Sequence, residues 1–394
     1  MGLAGIKPSD VPHPPTAPPA PEVRAANVGQ RRRAIIFGAL AAAALVVLIA
    51  LGSRGFHWFD SALIGYAVGT IFALAAITYK YTFWLMRPQT GRYFWRSWRL
   101  FFSFENFRRY TALIPSAIVN GLFTQFFIRH RGPNSRAGLY RWATHQCIFW
   151  GVVLSCCITF PLTFGWLRFT QTTTHDYHMW VFGFPFISFD PYSVFGFLVY
   201  HALVLTSIPL LVGLILAFHR RFHDLAQIAI QRFRFDVVPL ALLLAIVITG
   251  LALTVDSTFF RGAYYWFISL THEAVVVFWL ISLPFGKFFH IIERPATVGI
   301  ELYWRTGEDT TQHACPRCGR VFVPERFMRD LKRTSFDIGQ NYAVDANAPQ
   351  AGPTATREEA ISIPWWQDFC PACKRIIRAE ANLAAMGRDG NRFL

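Results

Sequence analysis

Two histidines of one long apolar run, His272 and His290, stand 18 residues apart. At 3.6 residues per turn this is five full turns, so a continuous helix would present both from one face, about 27 Å apart along its axis. Neutral imidazole is a strong iron ligand that brings no charge into a low-dielectric site, and an electron carrier holds haem iron between two such ligands. The spacing therefore suggests one axial ligand for each of two stacked haems. Two further histidines in apolar runs, His145 and His201, are candidates for the opposite positions. The alternative is that these rings hydrogen-bond within a bundle or line a proton path, but ionisable groups inside a bilayer are rare and usually functional.

Four of the seven cysteines form two knuckles, Cys315-Pro316-Arg317-Cys318-Gly319 and Cys370-Pro371-Ala372-Cys373. Two CxxC pairs make a tetrahedral thiolate site of the kind that holds zinc in a ribbon fold. A redox iron site of rubredoxin type or an iron-sulfur cluster is the alternative; iron there could relay electrons. A tail without metal is the third possibility. Cys147, Cys156 and Cys157 sit in an apolar run and read as small buried hydrophobes.

The elements that must position these groups follow from composition. With 53% hydrophobic and 15% charged residues, the chain has more apolar surface than one soluble core can bury. A span needs about 20 apolar residues, and six stretches qualify: Ala34 to Leu51, Ser61 to Met86, Leu139 to Trp166, Pro191 to Phe218, Val237 to Val255 and Tyr264 to Phe289. A seventh, Thr111 to Ile128, carries Pro115, Asn120 and Gln125 between arginines, and reads as an interfacial helix. The expected fold is an all-α membrane protein, a six-helix transmembrane bundle over 34–303. A disordered proline-rich tail (1–33) precedes it, and a small cytoplasmic zinc-ribbon-like domain (304–394) follows.

Charge sets the orientation. The net charge of +15 could suggest nucleic acid, yet ten arginines lie between Arg87 and Arg141, and Arg220, Arg221, Arg232 and Arg234 follow Phe218. The opposite loops hold only Arg54, Arg168 and Arg261. The positive-inside rule puts the basic loops and both termini in the cytoplasm of a multi-pass protein of the inner membrane, with no role for nucleic acid. Counting directions then places His145 with His290 near the cytoplasmic face and His201 with His272 toward the outer face. His219, also 18 residues from His201, falls in a basic boundary segment and reads as an interface residue, with haem ligation as the alternative.

Quinol oxidation releases protons with its electrons and needs an acceptor beside a haem edge. His175, Asp176, His178, Asp190 and Asp256 are candidates on the outer side, while Lys80 reads as snorkelling to the inner surface. No Walker motif, nucleophile elbow or paired acid and base appears.

The stretch HEAVVVFWLISLPFGKFFH from His272 to His290, followed by Glu293-Arg294-Pro295, resembles the last helix of the gamma subunit of respiratory nitrate reductase. Asp236-Val237-Val238-Pro239 and Thr249-Gly250-Leu251 resemble the helix before it, and the likeness covers about Ser61 to Tyr303. It implies a dihaem cytochrome b with His272 and His290 as one ligand to each haem, quinone or menaquinone as substrate, and a cytoplasmic iron-sulfur or molybdenum-type partner. In that family the other two ligands sit ten residues apart on one helix. His145 matches the first, but the second position holds Ser155, so the outer haem calls for His201. Thr144-His145-Gln146-Cys147-Ile148-Phe149-Trp150-Gly151 is more similar to the membrane subunits of heterodisulfide reductase and of the sulfite-reductase-associated complex. The rival expectation is a haem-free membrane anchor or assembly scaffold that binds a partner through its tail; a transporter comes third.

Overall fold

The computed structural model describes residues 21–102, 123, 136–172, 175–294, 303–304, 307, 311–338, 361–362 and 364–385, with backbone alone at 21–27, 88–89, 101 and 381–385. Six helices are long and apolar enough to cross a membrane. They lie within α1 (Pro21–Gly52), α2 (Ile64–Leu85), α4 (Arg136–Thr163), α6 (Ala202–His223), α8 (Val238–Phe259) and α9 (Tyr265–Ser282). The short amphipathic helix α3 (Pro88–Phe101) follows α2, and the short helix α7 (Leu225–Ile230) follows α6. The proposed interfacial helix Thr111–Ile128 lies outside the described residues apart from Phe123.

The spans neighbour one another as a chain: α1 against α2, α2 against α9, α9 against α8, α8 against α6 and α6 against α4. Ala73, Leu210, Leu214, Leu243, Val247, Trp279 and Leu280 form the inner cluster. Phe164 closes the end of α4 onto Leu45 and Ile49 of α1 and Ala67 of α2. Outward-facing Phe37, Leu40, Phe72 and Phe278 stay exposed, as lipid requires of a bundle held mainly by close packing. That packing uses small residues: a Cβ on Gly151 would meet Leu210 at 2.6 Å, and one on Gly213 would meet Ile148 at 2.8 Å.

Four features depart from the sequence reading. The helix of the first span begins at Pro21, so residues 21–33 are helical and do not belong to a disordered tail. Proline is favoured at a first helical turn, and the alanines that follow propagate it. The bundle is also not purely helical, because the loop after α4 is a three-stranded antiparallel meander: β1 (Leu167–Gln171), β2 (Tyr177–Val181) and β3 (Phe184–Phe189). Aromatic and β-branched residues are frequent there, and Gly183, at φ +84°, makes the tight turn between β2 and β3.

The other two departures concern the histidines. The expected span from Pro191 begins with a separate short helix, α5 (Val194–Tyr200), capped by Ser193, whose hydroxyl accepts from the Gly196 amide. His201 is the break between α5 and α6, at φ −101° and ψ 8°. In the last span α9 stops at Ser282 and the chain turns through Leu283-Pro284-Phe285-Gly286. A 3-10 turn, Lys287–Phe289, then leads into a helical turn starting at His290. Proline lacks the N–H an α-helix needs and its ring crowds the carbonyl four residues back. His272 and His290 therefore do not share one continuous helix, and the five-turn argument fails.

The Lys80 ammonium donates to the Pro284 carbonyl at 2.9 Å and lies 3.8 Å from the centre of the Phe289 ring, which holds the break in place. Asp236, at the start of α8, pairs with Lys287 at 2.5 Å and lies 3.7 Å from Arg221 of α6.

The tail forms a hairpin of β4 (Gln312–Ala314) and β5 (Val321–Pro324), then α10 (Glu325–Asp337) and α11 (Pro371–Ala385). Helix α10 docks on α3: Arg96 pairs with buried Asp330 at 2.8 Å and Arg92 with Asp337 at 2.5 Å. Tyr303 donates to Asp330 at 2.5 Å and packs with Tyr93 and Phe327. Burial and the Asp330 charge push the Tyr93 hydroxyl up to about 12, and burial with the Asp330 bond raises Tyr303 too, so both phenols stay protonated.

Candidate functional site

Five of the spans enclose a cavity of about 440 Å³ at the end of the bundle away from the arginine-rich loops. Tyr66 and Thr70 of α2, Ser155, Cys156 and Thr159 of α4, Ser207 of α6, Gly250 and Thr254 of α8, and His272 of α9 line it. His272 is fixed there by hydrogen bonding: its Nδ1 lies 2.8 Å from the Thr249 hydroxyl, whose own contact to the Ala245 carbonyl is 2.7 Å. The hydroxyl spends its proton on that carbonyl, so it accepts from Nδ1–H and leaves Nε2 with a free lone pair. That is the tautomer a metal ligand needs. Gly250 gives the ring room, since a Cβ there would stand 3.3 Å from His272 Cε1.

Ser155, which stands where the resemblance would put a second ligand, lines the cavity and pairs with Thr206 at 3.0 Å. His201 does not line it. Its ring is exposed, stacks on Phe197 at 4.2 Å and points Nδ1 to the Phe197 carbonyl at 2.9 Å. The structure does not bring His201 and His272 to one cavity, because the α5–α6 break turns His201 outward. His145 and His290, in contrast, lie within electrostatic reach of each other, with Arg294 close to both. His290 Nδ1 is held by the Lys287 carbonyl at 2.5 Å, again leaving Nε2 available.

The outer-side candidates are otherwise engaged. His178 sits on β2 and pairs with Ser188, and His175 lies in an exposed bend at φ +66°. Asp190 accepts from the Tyr192 amide, and Asp176 closes the strand end through its carbonyl to Thr172. Buried Asp256 accepts from the Tyr264 amide at 3.1 Å and ties α8 to α9. None of these lines the cavity. Glu273 was missed by the sequence reading. Its carboxylate takes the space left by Gly65, where a Cβ would stand 2.0 Å from Oε1, and its charge reaches Tyr66. The signal was present, since a carboxylate follows His272 inside an apolar run.

The tail cysteines converge. Ligand atoms of Cys315, Cys318, Cys370 and Cys373 all lie within 4.8 Å of one another, and Cys318 and Cys370 Sγ are 3.7 Å apart. A tetrahedron with metal–sulfur bonds of about 2.3 Å has edges of about 3.8 Å, so the four could hold a metal ion. The first knuckle is the β4–β5 turn, where Gly319 takes φ +69° and its amide donates to the Cys315 carbonyl at 2.9 Å. The second rides on the start of α11, with Pro371 as its first residue, and not on another hairpin. Burial opposes the Cys315 thiolate, but amides of Cys370, Cys318 and Arg317 outweigh it and bring the group down to about 6. Backbone donation from Cys373 lowers Cys370, while burial and neighbouring sulfurs push Cys373 up to about 12. Arg317 clamps the first knuckle to α11 through a two-pronged pair with Glu380, 2.8 and 2.6 Å.

Cys147, Cys156 and Cys157 are free thiols of α4. No family model, curated relative or solved structure matches the chain.

Proposed function

We propose that the chain is a membrane cytochrome b subunit that carries electrons between quinone and a partner on the arginine-rich side. The observation that carries this reading is the pairing of two separate imidazole positions with the two ends of one bundle. His145 lies within electrostatic reach of His290 at one end, and His272, with Nε2 open, lines a cavity at the other. Bound haem would supply reversible one-electron chemistry.

The donor sets differ. The inner position offers two imidazoles, suited to a six-coordinate iron. The outer cavity offers one, and His201 is left out of the set. A haem there would be held by His272 alone, in a cavity that Ser155 and Thr159 also line.

Quinol oxidation must shed two protons for its two electrons. Glu273, set against Gly65 behind Tyr66, which lines the cavity while Glu273 itself does not, is the acceptor we assign. The tail cysteines hold zinc as a structural ion, and the tail with the basic loops receives an iron-sulfur or molybdenum-type subunit. The resemblance to the nitrate reductase gamma subunit points the same way. A haem-free anchor is the rival, and an absorbance spectrum of the purified chain separates the two. Dithionite should develop the alpha band of b-type haem, and its absence ends the cytochrome reading.

A further inference from the structure

At the arginine-rich end, between α4 and α6, lies a second cavity of about 360 Å³, lined by Tyr140, Arg141, His219, Arg220, His223 and Asp224. One span begins there and the other ends, so the cavity sits where an apolar segment meets water, at the depth of phospholipid headgroups. Its wall is fixed: the Tyr140 hydroxyl crosses from α4 to donate to the Leu216 carbonyl of α6 at 2.6 Å. His219 and His223 stack with centroids 4.4 Å apart, and His223 Nδ1–H donates to the His219 carbonyl at 2.8 Å. That leaves His223 Nε2 for an outside partner. The lining holds two guanidinium groups and one carboxylate, with Arg220 Nε 3.8 Å from Asp224, so it carries a net positive charge before either histidine is protonated. The same two helices expose Leu139, Ile215 and Phe222 near this end, an apolar flank that free phosphate would not use and acyl chains would.

We propose that this cavity binds the phosphate headgroup of an anionic phospholipid, with the acyl chains along that flank. Basic pockets between transmembrane helices have the chemistry for it. The proposal needs the membrane bundle and is independent of haem. It gives His219 and His223 a role that electron transfer does not use.

The test is native mass spectrometry of the full chain from detergent titrated with dioleoylphosphatidylglycerol, with dioleoylphosphatidylcholine as the neutral arm. The wild type should retain the anionic lipid preferentially. The Arg141→Gln/Arg220→Gln pair should weaken that binding about fivefold per charge removed. Asp224→Asn keeps the cap on the short helix Leu225–Ile230 and removes the one negative group, so it should strengthen binding by a similar factor. Should the arginine pair fail to fold, the Asp224→Asn arm still decides. Unchanged affinity in either variant overturns the proposal. Displacement of the lipid by low-millimolar inorganic phosphate does so too, by assigning the cavity to the free ion.

Discussion

The cysteine cluster of the tail and the histidines of the bundle are built in opposite ways. Each cysteine knuckle is a tight local unit, one on the β4–β5 turn and one on the first turn of α11. The geometry within a knuckle is thus fixed by four consecutive residues, and folding needs only to bring two preformed halves together. The histidines come one at a time from separate elements. Their approach depends on where the helices break: α9 stops at Ser282, and α5 gives way to α6 at His201. A spacing rule transfers safely to the first kind of site and fails at the second.

The largest effect should come from breaking the local kind. Cys370→Ser removes a fully buried ligand, and structural zinc contributes about 10 kcal/mol or more to the folding of small modules. Metal analysis should fall from one equivalent per chain to none, and the tail should become protease-sensitive while the bundle stays intact. Retention of the metal would show that the cluster is not the site.

The second effect tests the dispersed kind. His290→Ala should abolish the low-spin haem signal and leave a high-spin one, His272→Ala should do the reverse, and His201→Ala should change neither. Loss of a haem in His201→Ala would restore the ligand pairing read from span directions. Smaller again is Glu273→Gln, for which quinol oxidation should slow about a hundredfold, at the lower end of the worth of a positioned general base, with both haem spectra unchanged. Equal loss of haem would mean that Glu273 supports the fold and not proton transfer.

The smallest effect sharpens how the two regions join. Asp330 is 1% exposed and is held by Arg96 and Tyr303. Asp330→Asn should loosen the seat of α10 on α3 by about 2 kcal/mol, the worth of a hydrogen bond to a charged group. Amide exchange should accelerate in α10 and not in α9. Part of the arginine-rich loop is therefore spent within the chain, since Arg92 and Arg96 already hold acidic partners.

The membrane character and all six spans were legible because hydropathy over about 20 residues is insensitive to small errors of boundary. The four cysteines were legible because CxxC spacing is itself the geometry. The outer meander was not, since its short aromatic strands, Tyr177–Val181 for one, have the composition of span ends. Pro284 and Gly286 were visible as residues, yet their position inside an apolar run concealed the stop. His201 carried no breaker at all. Its outward turn depends on Ser193 starting α5 upstream and on the Phe197 carbonyl capturing the imidazole, neither of which is a periodic signal.

The Pro284 break has a further consequence, for tolerance to change in chain length. Had His272 and His290 shared a rigid rod, one inserted residue between them would have swung His290 by about 100° around the axis. Because a turn separates them, anchored by Lys80 on one side and by Lys287 with Asp236 on the other, an insertion at 283–286 can be absorbed as extra loop. The two imidazole positions could then diverge in depth and chemistry independently, each kept by its own contacts and neither by the pitch of a common helix.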